Sequence, residues 1–190
     1  MNWKEPILEL YNTSKTLIVS PKQFWESKVE AISLKAVTQY FMLFMVLVGV
    51  SAFVGGWIAG SKYGTDYWFL LFKALRDVFQ YVVSVYLGCW AIREILAIEA
   101  DKKNVLKLVV LSSIPAFMTT IITNLFSGVY ILELFSLYSF YLMYVGVPYF
   151  FEGAKKHHFR FAGVSILIMI VSFVASYYIL WNLLKLFYTV

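Results

Sequence analysis

Five long apolar stretches occupy most of this chain, and its lysines cluster in every second gap between them. A bilayer core about 30 Å thick needs roughly 20 consecutive, mostly apolar residues to be crossed by a helix. Stretches at 36–59, 67–100, 105–126, 129–151 and 161–187 meet that length. In lipid every backbone polar group must be satisfied internally, so such runs resolve into helices. The expected fold class is an all-α integral membrane protein. Five transmembrane helices over 36–190 follow a cytoplasmic amphipathic segment over 1–35.

Composition agrees with that reading. Hydrophobic residues make up 61% of the chain and charged residues 14%, against roughly 45–50% and 25% in soluble domains. A formal net charge of +5 would point to nucleic acid in a soluble protein. Here the basic residues flank apolar spans, so the expected partners are membrane lipids, with anionic headgroups on the cytoplasmic side, and not nucleic acid. The lone cysteine, Cys89, lies inside the second stretch and cannot form an internal disulfide. The first apolar run begins near Ala36, too late and too long for a cleavable signal peptide.

Orientation follows from Lys and Arg near the span ends, because basic loops stay cytoplasmic. Lys4, Lys15, Lys22, Lys28 and Lys35 precede the first stretch. Lys102, Lys103 and Lys107 follow the second, and Lys155, Lys156 and Arg160 follow the fourth. The other side holds Lys62 and Lys185, with Lys73 and Arg76 just inside the second stretch. This places the N-terminus in the cytoplasm and the C-terminus outside.

The segment before the first span carries helix signals of its own. Ser20 suits a cap, Pro21 the first helical position, and Gln23 the place where a capping box puts Glu or Gln. Trp25, Val29 and Ile32 then recur at helical spacing. Two short helices lying on the cytoplasmic surface are expected.

The second stretch differs from the rest. At 100° per residue, Lys73, Arg76, Asp77, Gln80, Ser84, Gly88, Ala91 and Glu94 fall within about 60° of one line. The rise from Lys73 to Glu94 is about 31 Å, close to the hydrocarbon thickness. Ionisable groups facing lipid are costly, so this face should turn towards the other helices. Lys73 and Asp77 are spaced to pair within the helix. Glu133, at the start of the fourth stretch, is on the side to meet Lys73 or Arg76, and Glu152 is on the side to meet Arg93. Two readings stand: a hydrated path or headgroup site, or a seam of satisfied polar pairs.

Other polar and small residues read as packing. Ala52, Gly56 and Gly60 share one ridge of the first span, where small residues let helices approach closely, within the chain or between copies as a homo-oligomer. Ser112, Ala116, Thr120 and Asn124 share a ridge of the third span beside Pro115, which should kink that helix. His157 and His158 are adjacent, with no Cys or acidic cluster to complete a metal site. No metal or cofactor is expected. No nucleophile–base pair or phosphate-binding glycine loop is evident, and a non-enzymatic protein is expected.

Three segments carry a family resemblance. Residues 138–148 (YSFYLMYVGVP) resemble the Y-x-x-Y-L-x-Y-x-G-L-P pattern of the Yip-domain family. Residues 112–116 (SSIPA) resemble the small-polar-then-proline segment of that family's third span. Residues 19–25 (VSPKQFW) resemble the S-P-x-x-F-W start of its prokaryotic members. The resemblance implies five spans and a prokaryotic cytoplasmic membrane. Eukaryotic members associate with Rab GTPases and with one another, but this chain lacks their D-L-Y-G-P element. The leading expectation is a protein that organises membrane or binds partners through its basic cytoplasmic face. The alternative is a small transporter or flippase for an ion or lipid headgroup, using the polar face of the second helix.

Overall fold

The computed structural model describes residues 4–27, 32–60, 66–96, 102–126, 128–151 and 156–187. The described residues form helices and turns with no strand. Two short helices, α1 (Lys4–Val19) and α2 (Pro21–Ser27), are followed by α3 (Leu34–Gly60) and α4 (Tyr67–Ile95). Then come α5 (Lys102–Ser112), α6 (Ile114–Leu125), a 3-10 segment (Tyr130–Leu137), α7 (Tyr138–Phe150) and α8 (His158–Phe187).

Among the described residues, two helices are long and apolar enough to cross a membrane, over Leu34–Gly60 and His158–Leu183. A third crossing is made if α5 and α6 count as one span, bent by 42° between them. The surface agrees: α3 exposes Met42, Val46 and Val50, α4 exposes Leu75, Phe79 and Trp90, and α8 exposes Leu167, Val171 and Tyr178. Apolar bands of this extent are out of place in water. At 29 residues α4 is about 42 Å long. Its length suffices, but its five charged residues keep it outside the apolar class.

The bend between α5 and α6 has a local cause. Pro115 has no N–H to donate to Leu111, so the α-helical ladder stops at Ser112. The Ser113 hydroxyl donates to Val109 O at 2.8 Å, and the Ala116 N–H donates to the Ser139 hydroxyl of α7 at 3.2 Å. A neighbouring helix thus satisfies a backbone group freed by the break, the condition under which breaks survive in lipid.

The fourth apolar stretch is not one continuous α-helix. Its first part winds more tightly, starting from i→i+3 bonds such as Leu132 N–H to Val129 O at 3.1 Å. Gly128 lies at the turn beside the expected hairpin, while Ser127 is outside the described residues.

The two N-terminal helices are built into the bundle. Leu17, Phe24 and Trp25 are fully buried. Trp25 meets Phe150 edge-on at 5.6 Å and lies over Gly146, where an added Cβ would be 2.9 Å from the indole. Tyr138 donates its hydroxyl to Ile18 O, and Tyr149 to the Glu26 carboxylate, both at 2.9 Å. The segments 19–25 and 138–148, separate in sequence, therefore face one another.

Close packing elsewhere centres on small residues. A Cβ on Gly55 would overlap the backbone carbonyl of Asn124, so α3 touches the end of α6 there. Gly56 faces α4 instead, with Leu70 Cδ2 at 2.8 Å from a built Cβ. Ala52 is buried beside this contact, and Gly60 closes the helix. Gly88 of α4 abuts the sulfur of Met169 on α8.

Candidate functional site: a polar cavity behind the fourth helix

The polar line on α4 turns inward. Asp77, Gln80 and Ser84 are 7%, 6% and 2% exposed, while Leu75, Phe79, Val83 and Trp90 on other faces are exposed. The burial matches the cost of presenting ionisable groups to lipid. It does not close the space in front of them. Asp77, Gln80 and Ser84 line a cavity of ≈ 700 Å³, within the range of small-molecule sites.

Three further walls complete it. The α5–α6 ridge supplies Ser112, Ala116, Thr120 and Asn124, and Pro115 stays buried behind it. The 3-10 segment and α7 supply Glu133 and Ser139. From α8 come Phe173 and Tyr177. The packing ridge and the polar line of the sequence are thus opposite walls of one chamber.

The charges arrange themselves differently from the expected pairs. Arg76, rather than Lys73, takes Asp77: its Nε lies 2.9 Å from Asp77 Oδ1, with a second contact from the guanidinium end. A neighbouring residue wins because the guanidinium fork can bend back onto the carboxylate and is also held by rings of α8. The Arg76 guanidinium carbon is 5.9 Å from the Tyr177 centroid and 5.1 Å from that of Trp181. Those rings stack at 6.2 Å, and Lys185 Nζ lies 5.6 Å over Trp181. Lys73 is half-buried and stands outside the cavity lining.

Glu133 lines the cavity and makes no ion pair among the described residues, so it does not meet Lys73 or Arg76. Glu94 is exposed, pairs with Arg93 at 2.9 Å and takes no part in the chamber. Glu152, the expected partner of Arg93, lies outside the described residues.

Hydrogen bonds tie the walls together. The Tyr81 and Thr120 hydroxyls bond across α4 and α6. Asn124 Nδ2 donates to Ser51 Oγ of α3 at 3.4 Å. Ser84 donates to Gln80 O, and Thr119 donates to Pro115 O at 2.8 Å. Ser112 is 1% exposed, and its hydroxyl has no partner among the described residues.

Tyr81, Ser139 and Tyr177 are cavity residues that the helical-wheel reading misses. Tyr81 stands one residue round from Gln80, at the margin of the polar line, and aromatic residues in a span read as lipid-facing. Tyr177 and Trp181, four residues apart on α8, were a usable signal, since i,i+4 aromatics make one surface.

On the basic side, Lys103, Lys156 and Arg160 are exposed and Lys107 is half-buried. Lys102 begins α5, and Lys155 lies outside the described residues. No metal-binding group of three or more His, Cys, Asp or Glu occurs among the described residues. Comparison with protein-family models, curated proteins and solved structures found no match in any of the three.

Proposed function

We propose that this chain is a five-pass, non-enzymatic membrane protein that admits a small polar solute or lipid headgroup to the cavity behind α4, as a carrier or flippase. In this reading α3, α4, the bent α5–α6 pair, the 3-10 segment with α7, and α8 are the five crossings. The N-terminus is cytoplasmic. One observation carries the proposal: Asp77, Gln80 and Ser84 are withdrawn from lipid but face a chamber of ≈ 700 Å³ rather than a closed seam. A seam would have let apolar side chains fill that volume at native density.

The test uses a Ser84→Cys variant in a Cys89→Ala background, reconstituted in vesicles. A hydrophilic thiol reagent is expected to label Ser84→Cys. Transbilayer movement of a fluorescent headgroup-labelled lipid, or uptake of a small solute, should fall in Asp77→Asn and Arg76→Gln. An inert cysteine with no translocation by the folded protein would sink the proposal.

A second reading has its own support. Its support is the resemblance of residues 19–25 and 138–148 to Yip-domain segments, together with the packing of Trp25 from the first against Gly146 from the second. A Yip-like protein would organise membrane through Lys103, Lys156 and Arg160 and the exposed face of α1. Salt-sensitive retention of anionic over zwitterionic lipid by the purified protein, lost in Lys156→Glu and Arg160→Glu, is its expected result.

A further inference from the structure

The cavity's chemistry selects among ligands. Its lining contains two carboxylates, Asp77 and Glu133, and no Lys, Arg or His. Arg76 neutralises Asp77 from outside the lining, which leaves Glu133 as the lining carboxylate without an ion pair among the described residues.

The hydroxyls add a second, independent bias. A serine or threonine hydroxyl has one proton to donate and two lone pairs to accept with. Ser84, Ser113, Thr119, Thr123 and Ser136 of the lining each donate that proton to a carbonyl of their own helical segment. What they offer to the cavity is therefore acceptor capacity. The buried Ser112 hydroxyl lines the same space without a partner among the described residues. Phe117, Phe140 and Phe173 supply aromatic lining, a surface that attracts cations through ring quadrupoles.

An anion would meet the Glu133 carboxylate, and against that charge the lining offers it only neutral donors, the amides of Gln80 and Asn124 and the hydroxyls of Ser112, Ser139 and Tyr177. A bare inorganic cation would leave most of ≈ 700 Å³ unfilled. We propose that the cavity binds an alkylammonium group, with Glu133 as counter-charge and the aromatic rings as its bed. The proposal rests on the cavity being a ligand site, as argued above, and adds the ligand's charge and class. An ammonium of this kind comes either from a soluble amine or from a lipid headgroup.

The test is calorimetric titration of the purified protein in phosphatidylglycerol nanodiscs. The probes are choline, dimethylbutanol (carbon in place of the ammonium nitrogen) and dimethylbutanoate. Choline is expected to bind about tenfold more tightly than dimethylbutanol, with dimethylbutanoate weaker still. Glu133→Gln, on an exposed side chain that the fold does not need, should remove most of that preference. Equal binding of choline and dimethylbutanol, or tighter binding of dimethylbutanoate, overturns the charge preference while leaving the cavity reading intact. Binding of none of the three, with Ser84→Cys also inert to thiol reagent, overturns both. Adding phosphatidylethanolamine to the nanodisc separates the sources. Loss of choline binding supports a headgroup as occupant, and unchanged binding supports a soluble amine.

Discussion

At the scale of single residues, the cavity is held open by bonds that cross it at its edges. The Tyr81–Thr120 contact joins two walls, and removing either hydroxyl forfeits one hydrogen bond, about 1 kcal/mol of stability. Tyr81→Phe and Thr120→Val should each lower the unfolding free energy by that amount, and the double variant by much less than the sum. Additive losses in a denaturant titration would show that the bond is not made. A sharper contrast concerns glycine. Gly56 and Gly60 share the small-residue ridge of the first span, yet the tightest approach is at Gly55, whose neighbour is rigid backbone. Gly55→Val should cost about 2–3 kcal/mol through overpacking. Gly56→Ala meets only the movable end of Leu70 and should cost clearly less. Equal costs would contradict this assignment. Asp77, Gln80 and Ser84 were legible because polarity is rare inside a span and its angular period is simple. Gly55 was not, since the sequence alone does not say which face of α3 meets a partner.

Among the elements, the breaks were partly readable. Pro115 announced the α5–α6 bend, because a missing N–H leaves its mark in any helix. Nothing in residues 130–137 announces 3-10 winding, since an apolar run without polar punctuation fits either helix type. The N-terminal helices were foreseen from Ser20, Pro21 and the spacing around Trp25, but as surface-lying pieces. Trp25 of α2 is buried against Gly146 of α7, a partner more than a hundred residues away. Trp25→Ala removes a fully buried indole and should destabilise the bundle by about 3–5 kcal/mol. Thermal unfolding that is unmoved by Trp25→Ala would mean that α1 and α2 are a detachable tail.

For the whole molecule, the five-part hydropathy pattern and alternating lysines yielded the helical class at once. They left open which stretches form one continuous helix: α3, α4 and α8 do, while residues 102–151 are assembled from shorter pieces. The three pieces α6, the 3-10 segment and α7 bring the cavity into being, as does the turn of α4 away from lipid. The link from Ala116 N–H to Ser139 bears on how such a chain is made. If α5 and α6 cross the bilayer as proposed, the amide at their junction has only hydrocarbon around it until α7 is in place, a cost of several kcal/mol. On that proposal the α5–α6 pair is expected to stay with the insertion machinery until α7 arrives, so that all three enter lipid together. Stalling synthesis after residue 128 should keep α6 cross-linkable to the translocon, and extending the nascent chain past α7 should release it. Pro115→Ala, which restores a continuous ladder, should free the α5–α6 pair earlier.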